Sequence, residues 1–281
     1  QLGYEIVKEL NSRGIYDVLA LDVEDMDITD ARIVNKIFEE YKPKHVFHCA
    51  AWTNVDGAEE NEEMCYKINV EGTENIVEAS RRIGAKLTYI STDYVFDGTK
   101  TGLYEITDEP NPSSVYGKTK LLGEKLVQRY DKHFIVRISW VFGINGKNFI
   151  RTMLKLSETK EELNVVCDQI GSPTYTVDLA KLLVDMQETE KYGIYHANND
   201  GFCSWAEFAE YVFESNNKSV KVNKVPTSEY PTKAERPLNS KLSKQSLIDN
   251  GFDLLPSWQS AVERYNIELQ EEKQKQLKKE F

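Results

Sequence analysis

Lys86-Leu87-Thr88-Tyr89-Ile90-Ser91-Thr92-Asp93-Tyr94 opens a strand-like run, Lys86 to Phe96, that carries hydroxyl and acidic side chains, and Tyr116-Gly117-Lys118-Thr119-Lys120 follows with Tyr116 twenty-four residues beyond Thr92. Tyr116 and Lys120, at i and i+4, lie on one face of a helix, where an ammonium can approach a phenol and favour its ionised form. Free tyrosine titrates near pH ~10. A neighbouring cation is expected to lower that value toward the pH at which general acid–base catalysis is effective. Tyr-x-x-x-Lys alone also describes an ordinary solvated surface pair. The hydroxyl-bearing strand upstream favours the catalytic reading.

Around this segment short β-rich runs alternate with helical patterns, the signature of a parallel α/β sheet. Val18 to Leu21 reads as a short strand. Ile33, Val34, Ile37, Phe38 and Tyr41 give the stretch from Asp30 to Tyr41 a helical spacing, and Pro43 follows it. His45 to Ala51 is then a buried strand and Glu60 to Ile83 mostly helix, ended by Gly84. The helix of Tyr116 and Lys120 continues through Leu126 and Val127. Phe134 to Val141 and Asn164 to Cys167 read as strands, Val177–Gln187 and Ser204–Glu214 as helices, with a short strand near Ile194–Ala197. Ser257 to Lys279 is helical in pattern, its end increasingly charged and either solvated or an oligomer contact. The predicted fold is a Rossmann-like doubly wound parallel sheet over residues 1–165, with a smaller α/β lobe over residues 166–281, some of whose segments return to the first domain.

The 281 residues, 40% hydrophobic and 29% charged, fit a soluble globular protein. No apolar run approaches the ~20 residues of a membrane span and no basic-then-apolar leader opens the chain, so a cytoplasmic protein without membrane partners is expected. The net charge of −11 argues against a nucleic-acid partner. Cys49, Cys65, Cys167 and Cys203 are scattered without C-x-x-C spacing and read as reduced core thiols. His45 and His48, three apart on a strand, point to opposite faces, and no metal site is assigned.

Three places bear on a dinucleotide. Gln1-Leu2-Gly3 leads straight into a helical run, Tyr4 to Leu10. If Gly3 is the last glycine of a strand–turn–helix unit that brings a pyrophosphate to a helix N-terminus, roughly a dozen residues of strand and loop are missing from the sequence; Gly3 also reads as an incidental glycine. Asp27-Ile28-Thr29-Asp30 follows the second strand, where an acidic or small polar residue meets the adenine end. Ala50, Ala51 and Thr53 follow the third, where small residues permit close approach. They occur in the right order.

These segments, with Ser91-Thr92-Asp93-Tyr94-Val95-Phe96-Asp97-Gly98, Arg137-Ile138-Ser139-Trp140-Val141-Phe142-Gly143, Asp168-Gln169-Ile170-Gly171-Ser172-Pro173-Thr174 and Arg236-Pro237-Leu238-Asn239-Ser240, span nearly the whole chain. On them the chain resembles the extended short-chain dehydrogenases/reductases, and among these the dTDP-4-dehydrorhamnose reductase family. The resemblance implies a catalytic triad. Tyr116 would protonate the sugar oxygen, Lys120 would lower the Tyr116 pKa and bind the nicotinamide ribose, and Thr92 would hydrogen-bond the substrate carbonyl. The substrate implied is a dTDP-linked 4-keto-6-deoxy sugar, dTDP-4-dehydro-6-deoxy-L-mannose, reduced to dTDP-L-rhamnose for surface-polysaccharide supply.

Asp93, Tyr94, Trp140 and Arg236 are the substrate-side candidates. Related 4,6-dehydratases carry Thr-Asp-Glu, and Tyr94 standing where that glutamate would be argues against elimination chemistry. Trp140 reads equally as a stacking surface and as core. Arg236 would be an ordinary surface arginine but for the resemblance, which makes it a cation for the diphosphate. Asp22, in Asp22-Val23-Glu24-Asp25, would bond a ribose 2′-hydroxyl and repel a 2′-phosphate, favouring NADH while leaving NADPH open. Some relatives form homodimers bridged by a metal; a homodimer is open here and no Mg2+ ligands are assigned. The rivals are another nucleotide-sugar 4-ketoreductase or epimerase, and a nonenzymatic dinucleotide-binding subunit like the regulatory subunit of methionine adenosyltransferase.

Overall fold

The computed structural model describes residues 1–278. In chain order the elements are α1 (Leu2–Arg13), α2 (Ala31–Tyr41), β1 (His45–His48), α3 (Val55–Glu60), α4 (Glu62–Tyr66), α5 (Thr73–Ile83), β2 (Lys86–Thr92), α6 (Val115–Val127), β3 (His133–Ile138), β4 (Val141–Phe142), α7 (Phe149–Leu156) and β5 (Glu162–Val166). They continue as β6 (Ile170–Gly171), β7 (Thr174–Tyr175), α8 (Thr176–Gln187), β8 (Gly193–His196), β9 (Cys203–Ser204), α9 (Trp205–Ser215), β10 (Lys221–Val225), α10 (Gln245–Asp249) and α11 (Trp258–Leu277). Lys279, the predicted end of the last helix, lies outside the described residues.

The central sheet is parallel, in the order β1-β2-β3-β8. Its registers place His45 opposite Lys86, Leu87 opposite His133 and Phe134 opposite Gly193. Parallel strands joined by helical crossovers are covered on both faces. Leu87, Tyr89 and Ile135 pack with Val34, Phe38 and Ile76 from α2 and α5. Phe134, Val136 and Ile138 pack with Leu2, Ile6, Leu179 and Leu183 from α1 and α8. The predicted doubly wound arrangement is therefore present. A separate core joins Phe142, Ile150, Phe208, Val212, Trp258 and Tyr265, beside the short pairs β5–β10, β4–β7 and β6–β9. No described helix is long and apolar enough to cross a membrane. All four cysteines are free thiols.

Local chemistry explains where elements stop. Asp30 caps α2 by accepting the Arg32 N–H at 2.9 Å, and Gly84 ends α5 in the left-handed region at φ 73°. The strand expected to run to Phe96 turns at Thr92, whose hydroxyl oxygen accepts the Tyr94 N–H at 3.2 Å. The strand expected to reach Val141 ends at Ile138, and Trp140 takes φ 51° before β4 begins. Val18–Leu21, expected as a strand, is irregular: it belongs to none of the hydrogen-bonded sheets among the described residues, and Leu19, Ala20 and Leu21 are exposed.

Helix α6 is held against the sheet by a buried ion pair. Arg137 of β3 donates from Nε and Nη2 to the two carboxylate oxygens of Glu124 at 2.9 and 2.7 Å. Ser114 caps the helix at the Gly117 N–H, 3.1 Å away. At Gly117 a Cβ would lie 2.2 Å from the Tyr94 carbonyl oxygen, so a glycine lets the first turn of α6 meet the turn that ends β2.

Candidate active site

That close approach brings Thr92, Asp93 and Tyr94 to Tyr116 and Lys120 at the carboxyl end of β2, where ligands bind in open α/β sheets. The Tyr94 and Tyr116 rings meet edge to face, with centroids 5.6 Å apart at 74°. Thr92 donates its hydroxyl proton to Asp93 Oδ1 at 3.0 Å. To donate to a carbonyl oxygen instead, it must turn that proton away from Asp93. The other Asp93 oxygen accepts from Ser240 Oγ. Burial pushes the Asp93 carboxyl up to about 6, against the lowering effect of these two hydroxyls.

The expected lowering of the Tyr116 pKa by Lys120 is not found. Desolvation pushes the phenol above its ordinary value, opposed by the Thr92 hydroxyl and reinforced by the nearby Asp93. Lys120 Nζ instead lies 4.0 Å from the Tyr89 ring centroid, and burial brings its pKa down to about 7. A Tyr116 that stays protonated at neutral pH is in the form a proton donor requires.

All the cofactor-side candidates line the cleft that also contains the triad. Gln1, Leu2 and Gly3 begin α1. Gln1 makes no side-chain cap, its Nε2 donating to the Lys147 carbonyl at 2.9 Å, and the nearest atom to a Cβ on Gly3 would be Cys49 Cβ at 3.8 Å. Ala50, Ala51 and Thr53 follow β1 in a loop whose Trp52 N–H donates to Asn69 Oδ1 at 2.8 Å. The Asp22 carboxylate accepts the Val23 N–H at 2.7 Å, and Asp27 accepts from the Thr29 N–H and hydroxyl at 2.9 and 2.8 Å. Ile28 is buried in the core beside Val34 and Ile76.

The site fits a nicotinamide dinucleotide on one observation. Lys120 is 2% exposed and, among the described residues, has no hydrogen-bond or carboxylate partner, so ribose hydroxyls would satisfy its ammonium.

Among the substrate-side candidates, Trp140 stacks on Trp205 with centroids 3.7 Å apart at 14°. Arg236 donates to Tyr94 Oη at 2.9 Å and to Asp56 Oδ2 at 2.7 Å. Sequence reasoning missed Trp205 and Ser240, which line this cleft, and Asp56, which pairs with Arg236. Trp205 follows a helix cap with no local signal, whereas Ser240 stood inside a motif already quoted.

A doubly wound parallel sheet with Thr, Tyr and Lys gathered at its carboxyl edge defines the extended short-chain dehydrogenase/reductase class. The chain belongs to the RmlD substrate binding domain family, which matches residues 1–271. It is 43% identical over 267 residues to a spore coat polysaccharide biosynthesis protein of Bacillus subtilis, covering 94% of this chain and 93% of that one. To the dTDP-4-dehydrorhamnose reductase of Aggregatibacter actinomycetemcomitans it is 42% identical over 277 residues, covering 93% and 94%. The crystal structure of the dTDP-4-dehydrorhamnose reductase from Bacillus anthracis in complex with NADP superposes with a TM-score of 0.93 at 43% identity, covering 95% of each chain.

Proposed function

We infer that the chain is a dTDP-4-dehydrorhamnose reductase, which reduces the C4 ketone of dTDP-4-dehydro-6-deoxy-L-mannose to the alcohol of dTDP-L-rhamnose with a reduced nicotinamide dinucleotide. The observation that carries this reading is the gathering of Thr92, Tyr116 and Lys120 in one cleft. The dinucleotide, when bound, supplies a hydride to the carbonyl carbon. Tyr116 delivers the proton to the carbonyl oxygen, so ketone, hydride and proton balance to the alcohol. Thr92 orients that oxygen, and Lys120 holds the ribose beside the phenol. Residues 1–165 supply the dinucleotide half and residues 166–281 mainly the sugar half, although β8 joins the central sheet.

Asp22 favours NADH, because an exposed carboxylate after Leu21 accepts a 2′-hydroxyl and repels a 2′-phosphate. Comparing kcat/KM for the two reduced cofactors tests this point, and a strong NADPH preference overturns it. The wider reading is tested by following cofactor oxidation with the 4-keto nucleotide sugar. Turnover that needs both substrates is expected. Cofactor binding with no reduction of any 4-keto nucleotide sugar would overturn it.

A further inference from the structure

The carboxylate of Asp56 engages one short segment with both oxygens. Oδ1 accepts the Ala234 backbone N–H at 3.0 Å and Oδ2 accepts Arg236 Nη2 at 2.7 Å. From there the guanidinium spans to Tyr94, Nη1 donating to Tyr94 Oη at 2.9 Å. The segment is tied on its other side as well. The Asn239 N–H donates to the Gly98 carbonyl at 3.2 Å, and its side-chain amide donates to the carbonyls of Lys100 and Gly102. Arg236 therefore sits mid-way along a strap fastened at both ends.

An exposed ion pair between side chains contributes little by itself. Here the same carboxylate also fixes the backbone two residues before the arginine, so chain and guanidinium are placed together. The consequence reaches Tyr94. Its oxygen accepts from Arg236, which leaves its own proton to be donated, and among the described residues that proton has no acceptor. Tyr94 lines the cleft with its ring against Tyr116.

We propose that Asp56 is a positioning residue for the sugar side of the cleft: by fixing the strap and Arg236 it directs the Tyr94 hydroxyl at the nucleotide-linked sugar beside Tyr116. The inference rests on the reductase reading for its ligand, but not for the state of the strap. In full-length Asp56→Asn, KM for the nucleotide sugar rises about tenfold while kcat stays within about threefold and the Kd for reduced cofactor is unchanged. Trypsin cleavage after Lys233, followed by mass spectrometry, accelerates in the same variant. Glu60→Gln removes only the exposed pair with Lys233 and leaves KM as in wild type.

Unchanged cleavage in Asp56→Asn overturns the positioning role whether or not the protein reduces a sugar. Faster cleavage with unchanged KM overturns the link to the site, as does a parallel loss of cofactor affinity. Absence of sugar turnover in wild type, with faster cleavage in Asp56→Asn, removes the reductase reading and leaves the strap intact.

Discussion

Lys120 and Glu124 lie one turn apart on α6, yet the two do not pair: both Glu124 oxygens are taken by Arg137, and the Lys120 ammonium rests 4.0 Å from the Tyr89 ring centroid. A buried cation without a carboxylate is penalised, which is why its pKa falls to about 7. The unfolded chain then binds more protons than the folded one between about pH 7 and the ordinary lysine value, so stability rises with pH across that window. Lys120→Met is expected to raise the stability of the cofactor-free protein at pH 7 by roughly 1–3 kcal/mol, measured by denaturant unfolding, with the gain shrinking toward pH 10. The same variant should bind reduced cofactor roughly ten- to a hundredfold more weakly, the equivalent of one charged hydrogen bond.

Tyr116→Phe removes the proposed proton donor and little else, because the ring still fills its place against Tyr94. Loss of general acid catalysis lowers kcat by roughly 10²–10⁴-fold. Cofactor titration should give a Kd within about twofold of wild type. Retained turnover would assign the proton to another group, with Tyr94 the nearest phenol.

What the sequence disclosed follows from which interactions are local. Tyr116 and Lys120 were legible because helical spacing is set within one turn, and β2 because its apolar run is buried on both faces. The Thr92 turn was not foreseen, since it depends on a hydroxyl competing for the Tyr94 N–H. The effect of Lys120 on Tyr116 was misjudged: i,i+4 spacing gives proximity along a helix, whereas burial and the Glu124–Arg137 pair decide which charge each group feels. Trp205 and the Asp56 strap join the site across long sequence separations, which a single sequence cannot show.

Asp93 has a raised pKa, and the sign of its effect is opposite to that of a salt-bridged aspartate. Between the ordinary value and about 6 the folded protein holds a proton that the unfolded chain has lost, so stability falls as pH rises through this window. Asp93→Asn keeps the shape and removes the titration. Its stability relative to wild type should therefore increase from pH 4 to pH 6 and level off above, read from melting temperatures in matched buffers. A constant difference across that range would mean that Asp93 is ionised throughout.

Trp140 and Trp205 form an aromatic wall against Gly171. A Cβ on Gly171 would lie 2.8 Å from Trp140 Cε2 and 2.9 Å from Cζ2, closer than carbon atoms tolerate. The indole cannot yield freely, because it is stacked on Trp205 at 3.7 Å and its backbone is already held at φ 51°. Non-glycine residues persist in that region only where the surroundings over-determine them, and such positions cluster at ligand sites. Gly171→Ala should lower stability by roughly 1–3 kcal/mol, as overpacking does. If Trp140 faces the nucleotide sugar, the displaced indole raises KM for that substrate by about tenfold or more while cofactor Kd holds. A stability loss without any change in KM would place Trp140 in the core alone, the other role its sequence context allowed.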